Sequence, residues 1–209
     1  MNTTTDLVMC IVECEWKQFD KVQDVGGRAT CQDDWETFRI MRTSQFRGWP
    51  EDLLQSYLMD LKDADIVGHN LFAEKYGRMM ESTSPQEYER IKHLFSTRSP
   101  ERISEQERII AINMKMDDEF SDTYPVYSER GRRSRTEEDT IYSTSKETYM
   151  RGEISTWSDR TFQLYADWID SLVAQGINRS EMVAENMVHE YGYSSIEAVE
   201  EHIISKTQK

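Results

Sequence analysis

Few of the features that announce a function are present in this chain. Its 209 residues include three cysteines, Cys10, Cys14 and Cys31. That odd number cannot form a complete set of internal disulfides. Met1 to Asp6 carries no basic stretch of the kind that opens a secretory leader, so a cytoplasmic protein with reduced thiols is the expectation. No apolar run approaches the ~18 residues a membrane-spanning helix needs. The four histidines, His69, His93, His189 and His202, form neither HxxxH nor HExxH, and there is no CxxC. GxGxxG, the P-loop, the GxSxG elbow and the kinase signatures are also absent, so no motif names a nucleotide or a metal and the cofactor stays unknown. Basic residues are scarce, with 25 Lys and Arg against 39 Asp and Glu, a net charge of −14. A surface this acidic repels nucleic acid and anionic membranes, so neither is an expected partner.

The chain does contain enough large side chains for a core. Hydrophobic residues make up 37% of it, among them 5 Trp, 10 Tyr and 7 Phe. A chain of this length buries roughly 70% of its unfolded surface as one unit and needs no staple. Helix starts recur. Thr30-x-x-Asp33, Ser84-Pro85-Gln86-Glu87 and Ser194-x-x-Glu197 have the capping-box form, and Ser99-Pro100 and Trp49-Pro50 mark further starts. The spacing predicts helices near 5–24, 32–47, 51–66, 69–82, 85–95, 102–118, 159–175, 179–190 and 195–205. The expected fold is mainly α, a single compact helical domain. It comprises an N-terminal helical block (5–118), a loop-rich, irregular segment at about 120–157 with room for short β pairing, and C-terminal helices (158–205).

Helical wheels place charges where apolar residues belong. With Ile11 at the centre of the first stripe, at 100° per residue, Glu15 falls at about 40° and Gln18 at about −20°. With Phe38 at the centre of the next, Arg42 and Gln45 fall at the same two angles. Lys75 lies toward the edge of the Phe72, Tyr76, Met79, Met80 stripe, and Asp60 flanks that of Leu54, Tyr57, Leu58 and Leu61. By contrast, Phe162, Tyr165, Trp168, Ile169 and Leu172 form a stripe with no charge in it. A lone buried carboxylate must be paired, hydrogen-bonded or protonated. The misplaced groups are therefore either a buried ion-pair network or the lining of an interhelical pocket for a polar ligand, and both readings stay open.

Three further groupings carry bland readings beside sharp ones. Cys10 and Cys14 stand four apart on one helix, a chelating spacing that small buried thiols also explain. Gly26-Gly27-Arg28 precedes a helix start, where anions can bind. Four arginines lie between Arg130 and Arg135. Together they could clamp a phosphate or carboxylate, or Glu137, Glu138 and Asp139 can neutralise them as a solvated loop, with Arg132 the one expected to reach a pocket.

Several strings occur together: Glu15-Trp16, Gly26-Gly27-Arg28-Ala29-x-Cys31-Gln32, Met41-Arg42-x-Ser44-Gln45, Ser56-Tyr57, Asn70-x-x-x-Glu74-Lys75-Tyr76, Glu147-Thr148-Tyr149-x-Arg151-Gly152-Glu153 and Tyr191-Gly192-Tyr193-Ser194-Ser195. In combination they resemble a bacterial family known as domain of unknown function 4125, over nearly the whole chain. The resemblance implies one domain and carries no reaction with it. His69 stands where similar proteins have Arg.

The functional expectation is a helical protein that binds a small polar metabolite in a charged interhelical pocket. If it is an enzyme, Glu15 is the candidate general acid or base. Arg28, Arg42 and Lys75 would orient an anionic group, and Gln32, Gln45 and Asn70 would supply neutral hydrogen bonds. Asp60, Glu74, Arg132 and Arg151 complete the candidate ligand-binding set, and no metal ligand is assigned. The alternative is a non-enzymatic interaction or regulatory protein. Its buried ions would be architecture, and its C-terminal helices would meet a protein partner through Trp157 and Trp168.

Overall fold

A computed structural model describes residues 4–23 and 27–207. Gly26, the first residue of the Gly-Gly-Arg string, lies outside the described residues. Among the described residues eleven α-helices follow one another: α1 (Thr4–Phe19), α2 (Trp35–Phe46), α3 (Glu51–Ile66), α4 (Leu71–Thr83), α5 (Pro85–Ile91), α6 (Pro100–Thr123), α7 (Pro125–Ser128), α8 (Lys146–Thr156), α9 (Asp159–Gln175), α10 (Arg179–Glu190) and α11 (Ile196–Thr207). Short 3-10 turns at Thr30–Asp33, Lys92–Leu94 and Thr136–Glu138 complete the described elements.

The helix starts have physical causes. Asn70, Ser99, Ser145, Ser158 and Asn178 each cap a helix by accepting a backbone N–H of its first turn. Thr30 does not cap α2. Asp34 does, accepting from the Thr37 N–H at 3.0 Å, while residues 30–33 form their own 3-10 turn. α1 stops at Phe19, short of the expected residue 24. Gln32 accounts for this. Its Nε2 donates to the Phe19 and Val22 carbonyls at 2.7 and 2.9 Å, so groups that a longer helix would use are bonded by a side chain.

The segment at 120–157 departs most from expectation. α6 runs on to Thr123, α7 follows, and α8 occupies 146–156. Its only pairing among the described residues is a single bridge between Thr140 and Ser143, so the expected partly β character is not there. Apolar periodicity fails to reveal α8 because its buried face is Thr148, Gly152, Ser155 and Thr156 beside Ile154. That face packs on polar partners. The Ser155 hydroxyl accepts from Gln106 at 2.7 Å, and the Ile154 carbonyl accepts from Arg102 at 3.0 Å.

α1 packs on α2, α3 and α4, and α3 on α9. α8 lies between α4 and α6, and α10 spans α2 and α6. An aromatic core formed by Phe46, Trp49, Tyr57, Trp157, Tyr165 and Trp168 joins α2, α3, α8 and α9. Such rings bury about 150–250 Å² each, so this cluster dominates the packing energy. Gly152 permits the closest approach. A Cβ there would lie 2.8 Å from Met79 Cγ and 3.0 Å from the Lys75 carbonyl oxygen. A side chain at position 152 would push α8 off α4. None of the described helices is long and apolar enough to cross a membrane.

Candidate functional site

The misplaced charges of α1, α2 and α4 meet in one place. Arg42 donates from Nε to Glu15 Oε2 at 2.6 Å and from Nη2 to Glu15 Oε1 at 2.5 Å, a fork-to-fork pair. The Tyr57 hydroxyl donates to the same Oε1 at 2.7 Å. Arg42 Nη2 also reaches Glu153 Oε1 at 2.7 Å, and Nη1 reaches Gln45 Oε1 at 2.5 Å. Lys75 Nζ donates to Glu153 Oε2 at 2.7 Å and sits 3.6 Å from the centroid of the Tyr149 ring. Two cations thus face two anions. The side chains of Glu15, Arg42 and Lys75 are 0%, 5% and 3% exposed.

The electrostatics follow from this enclosure. Burial works against the charge of Arg42, yet Glu15 and Glu153 hold its pKa well above the ordinary value. Burial would raise the Glu153 carboxyl, but Arg42 and Lys75 outweigh it and hold it well below the usual carboxylate range. Burial lowers the Lys75 ammonium, which Glu153 only partly restores. Burial, and then the Glu15 charge, push the Tyr57 hydroxyl well up, so it remains a neutral donor.

Arg42, Gln45 and Glu153 also form part of the wall of a cleft of about 1200 Å³ bounded by α2, α6, α8 and α10, with α11 and the loop after α7 at its edge. Its floor is aromatic, with the rings of Trp49, Trp157 and Tyr165 packed together at centroid distances of 5.1 to 5.7 Å. Its walls carry Met41, Met114, Met150 and Met187. Five basic residues line it, Arg42, Arg130, Arg132, Lys146 and Arg179, against two acidic ones, Asp117 and Glu153. Arg42 is spent on its own carboxylates, and Lys146 donates to both oxygens of Asp117 at 2.9 Å. Arg130, Arg132 and Arg179 have no carboxylate partner among the described residues. Arg132 makes one 3.3 Å bond to the Thr144 carbonyl and lies over Tyr149, 4.9 Å from its centroid. Trp49 Nε1, Trp157 Nε1, Ser128 Oγ and Arg179 Nε are buried with no hydrogen-bond partner among the described residues, and all four residues line the cleft.

Residues 5–201 match the family described as protein of unknown function (DUF4125). The chain belongs to that family. No curated protein and no solved structure matches it.

The other candidate residues lie elsewhere. Glu15 has no surface in the cleft and stands behind Arg42. Lys75 stands behind Glu153. Arg28 is exposed and pairs with Asp20 and Asp33 at 2.6 and 2.8 Å, so its charge is spent away from the cleft. Asp60 accepts the Ser158 N–H at 3.0 Å at the start of α9. Asn70 ties α4 to α1 through the Gln18 carbonyl at 2.8 Å. Glu74 is held by Arg78 and His69, both at 2.6 Å, and Arg151 by Glu107 and Glu147 at 2.8 and 2.9 Å. Within the arginine cluster, Arg133 pairs with Glu138 and Arg135 with Asp118, which leaves Arg130 and Arg132 for the cleft. Trp157 and Trp168, expected to face a partner, are buried at 2% and 7% exposure. Cys10 and Cys14 are half-buried free thiols, and no group of three metal-ligating side chains is assembled among the described residues.

Sequence reasoning missed Glu153, the anion that joins Arg42 to Lys75. It also missed Arg130 and Arg179. Two buried cations facing one buried carboxylate on three separate helices was a signal that a second carboxylate had to exist.

Proposed function

We propose that this protein binds a small organic anion with an apolar body in the cleft between α2, α6, α8 and α10. The observation that carries this reading is the charge of the wall. The chain has a net charge of −14, yet three arginines without carboxylate partners line one cleft. Leaving guanidinium groups together without counter-charge is unfavourable, and an anionic ligand would relieve it. Methionine side chains adapt to irregular apolar shapes, which suits an aliphatic or ring-bearing body.

Glu15, the candidate acid or base, enters this reading as a positioning residue. Its two oxygens already accept three hydrogen bonds, from Arg42 and Tyr57. With Glu153 it fixes Arg42 as a rigid part of the wall. The alternative of a partner-binding surface built on Trp157 and Trp168 has no comparable support, because both rings are buried.

A thermal-shift screen of organic acids, phosphorylated metabolites and neutral analogues tests the reading. A ligand at ~100 times its dissociation constant adds about 2.7 kcal/mol, which moves the midpoint by roughly 5 to 10 °C at this size. Anionic compounds with apolar bodies should shift it and their neutral esters should not. Equal shifts from acids and esters, or none from either, would refute the proposal.

A further inference from the structure

Two donors at the floor of the cleft have no acceptor. Trp49 stands in the turn between α2 and α3, its backbone N–H bonded to the Phe46 carbonyl at 3.0 Å, and Trp157 caps the end of α8. Their rings meet edge to face, 5.6 Å apart between centroids. They are 5% and 2% exposed, and the cleft is the open space that both side chains border. Neither Nε1 has a hydrogen-bond partner among the described residues. An indole nitrogen only donates, so nothing but an acceptor satisfies it. Buried donors in folded proteins are nearly always paired, and an unpaired one is costly. The side chains that line the cleft with carboxylate or amide oxygens are engaged elsewhere. Glu153 accepts from Arg42 and Lys75, Asp117 from Lys146, Gln45 from Arg42, and Asn113 from the Tyr165 hydroxyl at 3.2 Å. Arg179 Nε is a third buried donor without a partner, and Ser128 Oγ can act either way. The unpaired groups of this cleft therefore call for oxygen acceptors.

We infer that Trp49 and Trp157 determine what the cleft selects: their indole N–H groups donate to a donor-free oxygen of the ligand, a carbonyl or carboxylate oxygen held against the aromatic floor. This rests on the anion-binding reading above and deepens it by naming the group that meets the floor. An ammonium at that place would face donors only, and a methylene would leave both indoles buried and unpaired. The class favoured is the simple or oxo-substituted acid over the amino acid of the same carbon skeleton.

The test is nuclear magnetic resonance on the full chain, isotopically labelled at the indole nitrogens of its 5 tryptophans. Trp49→Phe and Trp157→Phe assign the two signals of interest, and Trp16→Phe and Trp35→Phe assign two controls that do not line the cleft. The probes are straight-chain alkanoates, their α-oxo counterparts and the matching α-amino acids, which carry no ring to shift neighbouring signals. On saturation with an α-oxo acid the Trp49 and Trp157 indole protons should move downfield, as a new hydrogen bond to oxygen requires, while those of Trp16 and Trp35 stay. The α-oxo acid should bind about tenfold or more tighter than the amino acid, and Trp157→Phe should shrink that ratio. Movement with the α-oxo acid alone puts a carbonyl at the floor, and movement with both acids puts the carboxylate there. If acids raise the thermal midpoint but either indole signal stays in place, or if oxo and amino acids bind equally, the inference is overturned while the anion-binding reading stands. If only phosphorylated metabolites raise the midpoint, the same two signals are read with them and decide in the same way. If no anion raises it, both fail together.

Discussion

Arg42 and Arg132 both line the cleft, yet they are held in opposite ways. Each side-chain nitrogen of Arg42 donates to a protein oxygen, and its side chain is 5% exposed. Arg132 is exposed and reaches one carbonyl and one ring face. The first belongs to a closed set of two cations and two carboxylates that neutralise one another inside the helical packing. The second belongs to an open set whose charges have no internal answer. The contrast teaches that burial and function need not coincide. The charges buried deepest in this protein are the ones it has already satisfied, and the ones available to a ligand are those left without an internal counter-charge.

The contrast breaks most sharply on stability. Arg42→Met would leave Glu15 and part of Glu153 buried without their counter-ion. It should cost about 3–5 kcal/mol in urea unfolding, whereas Arg132→Met should stay within about 0.5 kcal/mol. Equal costs would mean that the cluster is not sealed. Gly152→Ala comes next. The added methyl meets the Lys75 carbonyl oxygen and Met79, so α8 must move away from α4 and carry Glu153 off Lys75. A loss of about 1–3 kcal/mol is expected, and an unchanged midpoint would show that α8 can shift freely.

Titration sharpens the same point. The carboxyl of Glu153 is held below its unfolded value, so its contribution to stability is complete above about pH 4.3 and fades as pH falls below that. Glu153→Gln should therefore be weaker than wild type at neutral pH and show a flatter acid limb. Parallel curves for the two proteins would remove Glu153 from the linkage. The smallest effect on stability, and the largest on binding, belongs to the open set. Arg130→Met with Arg132→Met should reduce the affinity for organic anions by about tenfold or more and leave the fold unchanged. Retained affinity in that double variant would move the ligand away from this end of the cleft.

Much of the closed set was legible from helical wheels alone. Glu15, Arg42 and Gln45 fall inside apolar stripes and Lys75 at the edge of one, and the stripes of α1, α2 and α4 do face one another. Glu153 was not legible because α8 hides its helical character behind threonine, serine and glycine, whose burial depends on polar partners in other helices. The open set was half legible. A run of arginines in an acidic chain stands out, and Arg132 was singled out from it. Only the ion pairs of Arg133 and Arg135 separate the spent members from the free ones. Arg179 looks like an ordinary first-turn residue until α10 is laid across α2 and α6.

The sequence by itself determined that the chain is helical and that its interior holds opposite charges. Caps, proline positions and apolar period are local, and a charge in an apolar stripe needs a partner wherever the fold supplies one. The residues around 120–157, the partner of each buried charge and the position of the cleft were decided only by tertiary structure. Those features depend on which helix faces come within a few ångströms of each other. A single helix carries no record of what will lie across from it.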